Sequence, residues 1–151
     1  MTKVNLIYEI EFIPEREQKS LLKSKVVEAV KTLHKEEGLN CSIVSFLFCT
    51  DERIRKFNRE FLSHDYETDI LTFYDTDDRG KIESDIIISP DTVKYNSKRF
   101  KKSFSEELFR VILHGLLHLC GYDDKSAKNK KIMRQKEDQY LEKIGYLNLN
   151  A

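Results

Sequence analysis

Net charge, paired cysteines, long apolar runs and internal repeats are all missing from this chain of 151 residues. Lys plus Arg equal Asp plus Glu at 26 each. No overall field therefore draws the protein to nucleic acid or to an anionic membrane, and any such binding must come from local patches. The three cysteines, Cys41, Cys49 and Cys120, are odd in number and form no CxxC pair. Cys41 and Cys49 lie in an uncharged apolar run, which suits reduced, buried thiols in a cytoplasmic protein. Met1-Thr2-Lys3-Val4-Asn5 has no apolar core of a signal segment, and no run approaches membrane-spanning length, so no membrane role is expected. Without a linker, low-complexity segment or repeat, residues 1–151 are expected to form one domain around one core.

What is present is a regular alternation of apolar patterns. Val4, Leu6, Tyr8, Ile10 and Phe12 alternate with more polar neighbours and predict a strand over 4–12, punctuated by Pro14. Leu21, Leu22, Val26, Val27, Ala29, Val30 and Leu33 fall at helical spacing within 15–36, ahead of Gly38. Residues 41–49 read as a buried strand, and Thr50 or Asp51 can cap a helix carrying Ile54, Phe57, Asn58 and Phe61. Ser63-His64-Asp65-Tyr66-Glu67 reads as a polar loop. Thr68 to Tyr74 and Ile82 to Ser89 then form a hairpin across a turn-rich connection. Ser89-Pro90-Asp91 starts a helix, Ser103-x-x-Glu106 is a capping box for the next, and a last helix runs from about Ser126 to Gly145. The order β-α-β-α-β-β-α-α-α predicts an α+β fold: one small mixed sheet of about four strands against about five helices.

The helix ending near Cys120 carries the chemistry. Leu108, Phe109, Ile112, Leu113, Leu116, Leu117 and Leu119 cover most of its circumference, leaving a narrow polar stripe of Glu107, Arg110, His114 and His118. Such a helix belongs in the middle of a fold, with its stripe on a buried network or a cleft. A single histidine there would read as a hydrogen-bonded core residue. Two of them at i, i+4 share a face and can grip one metal ion, and Gly121 can turn the chain so that Asp123 or Asp124 approaches it. The spacing His-x3-His-x5-Asp places Asp124 where the zincin hydrolases of HExxHxxGxxH type carry a third histidine. His114, His118 and Asp124 are therefore the expected ligands of a zincin-like site, most simply for one Zn2+ ion. The carboxylate cancels one unit of the metal's charge, so bound water there stays less acidic than with three neutral ligands. Gly115 stands where those hydrolases place their glutamate base, which leaves metal-bound water as the expected nucleophile.

His114, Gly115, Leu117, His118, Leu119, Gly121, Tyr122 and Asp123 also match the HGxLHLxGYDH signature, and the stretch resembles the YbeY family of metal-dependent bacterial endoribonucleases. Asn58-x-x-Phe61, Thr68 to Phe73, Ser84 to Ser89 and the Met133-x-x-x-Glu137 pair resemble further family segments, over about residues 40–145. The resemblance implies cleavage of single-stranded RNA in small-subunit (16S) ribosomal RNA maturation and ribosome quality control, with ribosomal RNA and the small ribosomal subunit as partners. Two positions depart from the pattern: Asp124 replaces the third metal histidine, and Leu62 replaces an arginine that the family is thought to use on phosphate. Arg110, or less readily Arg59, can supply that charge. Arg110 either faces the cleft and contacts phosphate or pairs with Glu106 or Glu107 on its own helix. Lys94, Lys98, Arg99, Lys101 and Lys102 form one basic cluster, and Lys125, Lys128, Lys130, Lys131 and Arg134 a second, beside Asp124. Tyr74 and Tyr122 are candidates to stack on bases or to pack in the core. Asp69, at a strand edge, reads as structural or as an orienter of a metal histidine. A peptide hydrolase of zincin type and a non-catalytic ribosome-assembly factor with a structural metal are the alternative readings.

Overall fold

The computed structural model describes residues 2–62 and 68–149. The polar loop expected at Ser63–Glu67 lies outside the described residues. Within them the order is β1 (Lys3–Tyr8), α1 (Arg16–Glu37), β2 (Cys41–Phe48), α2 (Asp51–Leu62), β3 (Ile70–Thr76), β4 (Ile82–Ile88), α3 (Pro90–Arg99), α4 (Phe104–Leu119) and α5 (Ala127–Ile144). The sheet runs β1-β2-β4-β3, with β1, β2 and β4 parallel and β3 antiparallel to β4. This is the α+β mixed sheet expected from the pattern.

The strand periodicity sorts side chains between two layers. Val44, Phe46, Phe48, Ile86 and Ile88 face the large core formed with α1, α3, α4 and α5. The opposite face is smaller. There Cys49, Ile54, Leu71 and Ile87 form a second cluster with Leu47, Phe57 and Phe73 under α2. All three cysteines are free, and burial pushes Cys49 and Cys120 up to about 12 and Cys41 up to about 11.

The first strand is shorter than its alternation suggests. Glu9 N donates to Phe48 O at 2.9 Å, and β2 ends there, so residues beyond Glu9 have no neighbour to continue the ladder. Phe12 instead turns in to pack on Tyr8, Phe48 and Phe104 at centroid distances of 5.6, 4.9 and 6.1 Å. Helix starts follow their caps. Ser89 Oγ accepts from Thr92 N at 3.4 Å, and Ser126 Oγ from Asn129 N at 3.1 Å. Ser103 Oγ accepts from Glu106 N at 3.1 Å, but Glu106 turns its carboxylate to Lys102 and Tyr146. Only half of the expected capping box is made.

α4 crosses the sheet at close range. A Cβ built on Gly115 would stand 2.9 Å from Ile70 Cδ1 and 3.1 Å from Ile86 Cγ2, so glycine sets how near the helix lies to β3 and β4. Its leucines are buried on every side except the polar stripe. Each fully buried side chain contributes about 1.5–3 kcal/mol, which holds the stripe in place.

Candidate metal centre

Two different devices aim the two histidines. His114 Nδ1 lies 2.6 Å from Glu137 Oε2 of α5, a carboxylate that is itself buried. His118 Nδ1 lies 2.9 Å from Tyr122 O, in the turn that follows its own helix. That turn is closed by Gly121 N to His118 O at 3.0 Å and Tyr122 N to Leu117 O at 3.1 Å, with Gly121 at φ 103. A carbonyl oxygen can only accept, so His118 carries its proton on Nδ1; the Glu137 carboxylate fixes the same tautomer in His114.

The two Nε2 atoms face each other at 3.0 Å. Both would present lone pairs, an arrangement that needs a proton or a cation between them. Asp124 completes the cluster, with Oδ2 3.3 Å from His114 Nε2 and Oδ1 4.0 Å from His118 Nε2. One ligand atom from each of His114, His118 and Asp124 lies within 4.8 Å of the others, so the group could hold a metal ion. Two imidazoles and a carboxylate suit a divalent transition metal. Asp123 is engaged elsewhere: its Oδ1 accepts from Lys125 N at 3.1 Å and Asn129 Nδ2 at 2.8 Å, hydrogen bonds that hold its carboxyl below the usual range.

Electrostatics separates the pair. Burial works against charge on His114, but the hydrogen bond and charge of Glu137, helped by Asp124 and Asp69, raise its pKa above the ordinary histidine value. Burial and the neighbouring His114 lower that of His118. A proton held here rests on His114, and a metal ion must displace it.

Arg110 lies on the stripe but pairs with neither Glu106 nor Glu107. Its Nη1 donates to Glu137 Oε1 at 3.1 Å and its Nη2 to Asp138 Oδ1 at 2.7 Å, both on α5. It thereby holds the carboxylate that holds His114. Glu137 was visible in sequence only as part of a family segment. Its sign was an acid on the apolar side of a helix, between Met133 and Tyr140. Asp69 makes no hydrogen bond to either histidine; burial raises its carboxyl, opposed by the charge of His114. Tyr122 is anchored from below. Its hydroxyl donates to Glu37 Oε1 at 2.7 Å, while Tyr140 and Lys136 donate to Glu37 Oε2.

Two cavities meet at this cluster, sharing Asp69, Ile70, His114 and Asp124. One, of about 740 Å3, runs past Asn58, Leu62, Tyr74, Tyr122 and Lys125. The other, of about 360 Å3, is lined by Asn96, Phe100, Glu107, Arg110, Lys130 and Arg134 among others. The second basic cluster thus supplies Lys125 to one cavity and Lys130 and Arg134 to the other, whereas no cation of the first cluster lines either. Gly115 faces Ile70 and Ile86 in the sheet, so even a glutamate at that position would be aimed away from the cluster.

A mixed sheet crossed by a His-x3-His helix, with a carboxylate returned by the following turn, defines an α+β protein with a three-residue cluster that could hold a metal ion. More narrowly, the chain belongs to the YbeY family: the family model described as Endoribonuclease YbeY matches residues 9–145. It is similar to the Endoribonuclease YbeY of Cytophaga hutchinsonii, 47% identical over 112 residues that cover 74% of this chain and 78% of the relative. To that of Parabacteroides distasonis it is 41% identical over 133 residues, 87% of this chain and 93% of the relative. The solution structure of a Thermotoga maritima protein matches with a TM-score of 0.64 at 28% identity, covering 93% of this chain and 88% of that one.

Proposed function

We propose that this chain is a metal-dependent endoribonuclease, with His114, His118 and Asp124 holding one zinc ion and single-stranded RNA as substrate. The observation that carries the reading is the triad itself: two imidazole Nε2 atoms 3.0 Å apart and Asp124, at the junction of two open cavities. The family's relatives, named for endoribonuclease activity, set the reaction class. A bound zinc ion supplies a Lewis acid for phosphate and makes water a stronger nucleophile. The chain's own residues do the rest. Glu137 and Tyr122 O hold the two rings in the tautomer that leaves Nε2 free. Lys125, Lys130 and Arg134 neutralise the phosphates on either side. Arg110 lines the smaller cavity with N–H donors beyond the two engaged by Glu137 and Asp138, and phosphate contact is its proposed role.

The proposed setting is the cytoplasm, in maturation of 16S ribosomal RNA and ribosome quality control on the small subunit, with residues 1–151 acting as one ribonuclease domain. No helix among the described residues is long and apolar enough to cross a membrane. Cleavage of a labelled single-stranded RNA, measured beside metal content for the wild type and Asp124→Ala, tests the reading. Loss of both in the variant supports it; full cleavage without metal overturns it. One observation favours a second reading, a non-catalytic assembly factor. Leu62, 43% exposed, lines the larger cavity where the family resemblance implies an arginine. Rescue of ribosomal RNA processing by a double His118→Ala, Asp124→Ala variant would select that reading.

A further inference from the structure

The polar stripe of α4 continues beyond the metal cluster. Two turns before His114 stands Glu107, only 5% exposed, in the wall of the smaller cavity. Its carboxyl makes no hydrogen bond or salt bridge among the described residues. Arg110, the cation on its own helix, makes its ion pairs with Glu137 and Asp138 and none with Glu107. Its oxygens are not among the fully buried unpaired atoms, so with no protein partner they are open to the cavity. The same cavity carries exposed Lys130 and Arg134, Asn96, and the ring of Phe100, 42% exposed with the Arg99 guanidinium 5.5 Å from its centroid. Its ≈ 360 Å3 falls within the roughly 300–1,000 Å3 of small-ligand sites.

Cations for a phosphate, an aromatic ring and an unpaired carboxyl in the wall are the kinds of contact that hold one nucleotide of an unpaired strand. Because both cavities open on His114 and Asp124, a strand whose phosphate sits at the triad has a flanking nucleotide beside each. We propose that the smaller cavity is a base-reading subsite for one of these flanking nucleotides, in which Glu107 accepts a hydrogen bond from the exocyclic amine of adenine, cytosine or guanine and disfavours uracil. Uracil has no amine and presents carbonyl oxygens on both sides of its only edge donor, which repel a carboxyl oxygen. The inference rests on the RNA reading above. Within it, Glu107 sets the preference among bases and Arg134 the affinity common to all.

Titration of the isotopically labelled full chain with AMP, CMP, GMP and UMP above pH 7, where the Glu107 carboxyl is ionised and can only accept, followed by amide shifts, tests the subsite. The amides of Asn96, Phe100, Lys130 and Arg134 are expected to move, with the amine-bearing nucleotides bound about tenfold or more tighter than UMP. Glu107→Gln, nearly isosteric, is expected to bring that ratio to within about twofold. Arg134→Ala should weaken all four nucleotides alike and keep the ratio. Equal binding of UMP, shifts confined to other surfaces, or an unchanged ratio in a folded Glu107→Gln protein overturns the proposal. Cleavage of oligoribonucleotides differing at one flanking base separates the two readings. Cleavage indifferent to that base, in wild type and Glu107→Gln alike, leaves the ribonuclease standing and removes the base reader. Nucleotide preference without cleavage of any RNA keeps the subsite and removes the ribonuclease.

Discussion

The two ends of the metal cluster are built on opposite plans. His118 is aimed by the turn that ends its own helix, through a main-chain carbonyl four residues away. His114 is aimed by Glu137, 23 residues on, which is held in turn by Arg110. The His118 end is a property of local chain geometry, reached through the backbone of the turn. The His114 end is a buried charge relay between two helices, and each member is exposed to single mutation. The same contrast separates the charges: the hydrogen-bonded Glu137 carboxylate lifts the pKa of His114 against burial, whereas burial and the neighbouring His114 lower that of His118.

Removing a ligand should have the largest effect and erase the contrast. His114→Ala and His118→Ala are both expected to drop metal content from about one ion per chain to near zero, read by metal analysis of the purified proteins. Equal retention in either would show that one histidine is dispensable. Glu137→Gln comes next and strikes one end alone. Loss of the carboxylate should weaken metal binding by about 10–100-fold and, with Arg110 still held by Asp138, cost about 1–3 kcal/mol of stability. Metal titration and denaturant unfolding measure the two effects.

Glu107→Gln should act on stability through pH. Burial, with the nearby charge of Asp69, pushes the Glu107 carboxyl up to about 7 from an ordinary 4.5, against the opposing charges of Arg110 and Arg134. A raised carboxyl favours the fold when protonated. Its contribution is fully present below pH 4.5 and is lost as pH rises through about 7. The glutamine variant should therefore gain on the wild type by about 1–3 kcal/mol above pH 7 and match it below 4.5, checked by unfolding curves across that range. The smallest effects belong to the turn. Gly121→Ala forces a side chain onto a backbone at φ 103 and should cost about 1–2 kcal/mol. Because Tyr122 O is part of that turn, metal affinity should fall with stability, as paired unfolding and metal titrations would show.

These differences track how far apart the interacting residues lie along the chain. The i, i+4 histidines, the glycine turn and the returning aspartate are local, and their spacing alone brought His114, His118 and Asp124 forward. The hairpin, the caps at Ser89 and Ser126 and the buried α4 were legible for the same reason. The end of β1 was not, because it depends on where β2 stops. Nor were the partners of Arg110. Helical spacing points to Glu106 and Glu107, but the crossing of α4 and α5 brings Glu137 and Asp138 closer. Glu107 looked like one more member of a polar stripe until the cavity around it left its carboxyl without a partner.

The sequence by itself determined the elements, the mixed sheet they form and the His-x3-His-x5-Asp signature, because each rests on periodicities and turns spanning a few residues. Only the tertiary structure decided what surrounds that signature. Glu137 reaches His114, Gly115 is pressed against Ile70 and Ile86, and two cavities converge on the triad. Those contacts depend on helix crossing and sheet register, which no local pattern encodes.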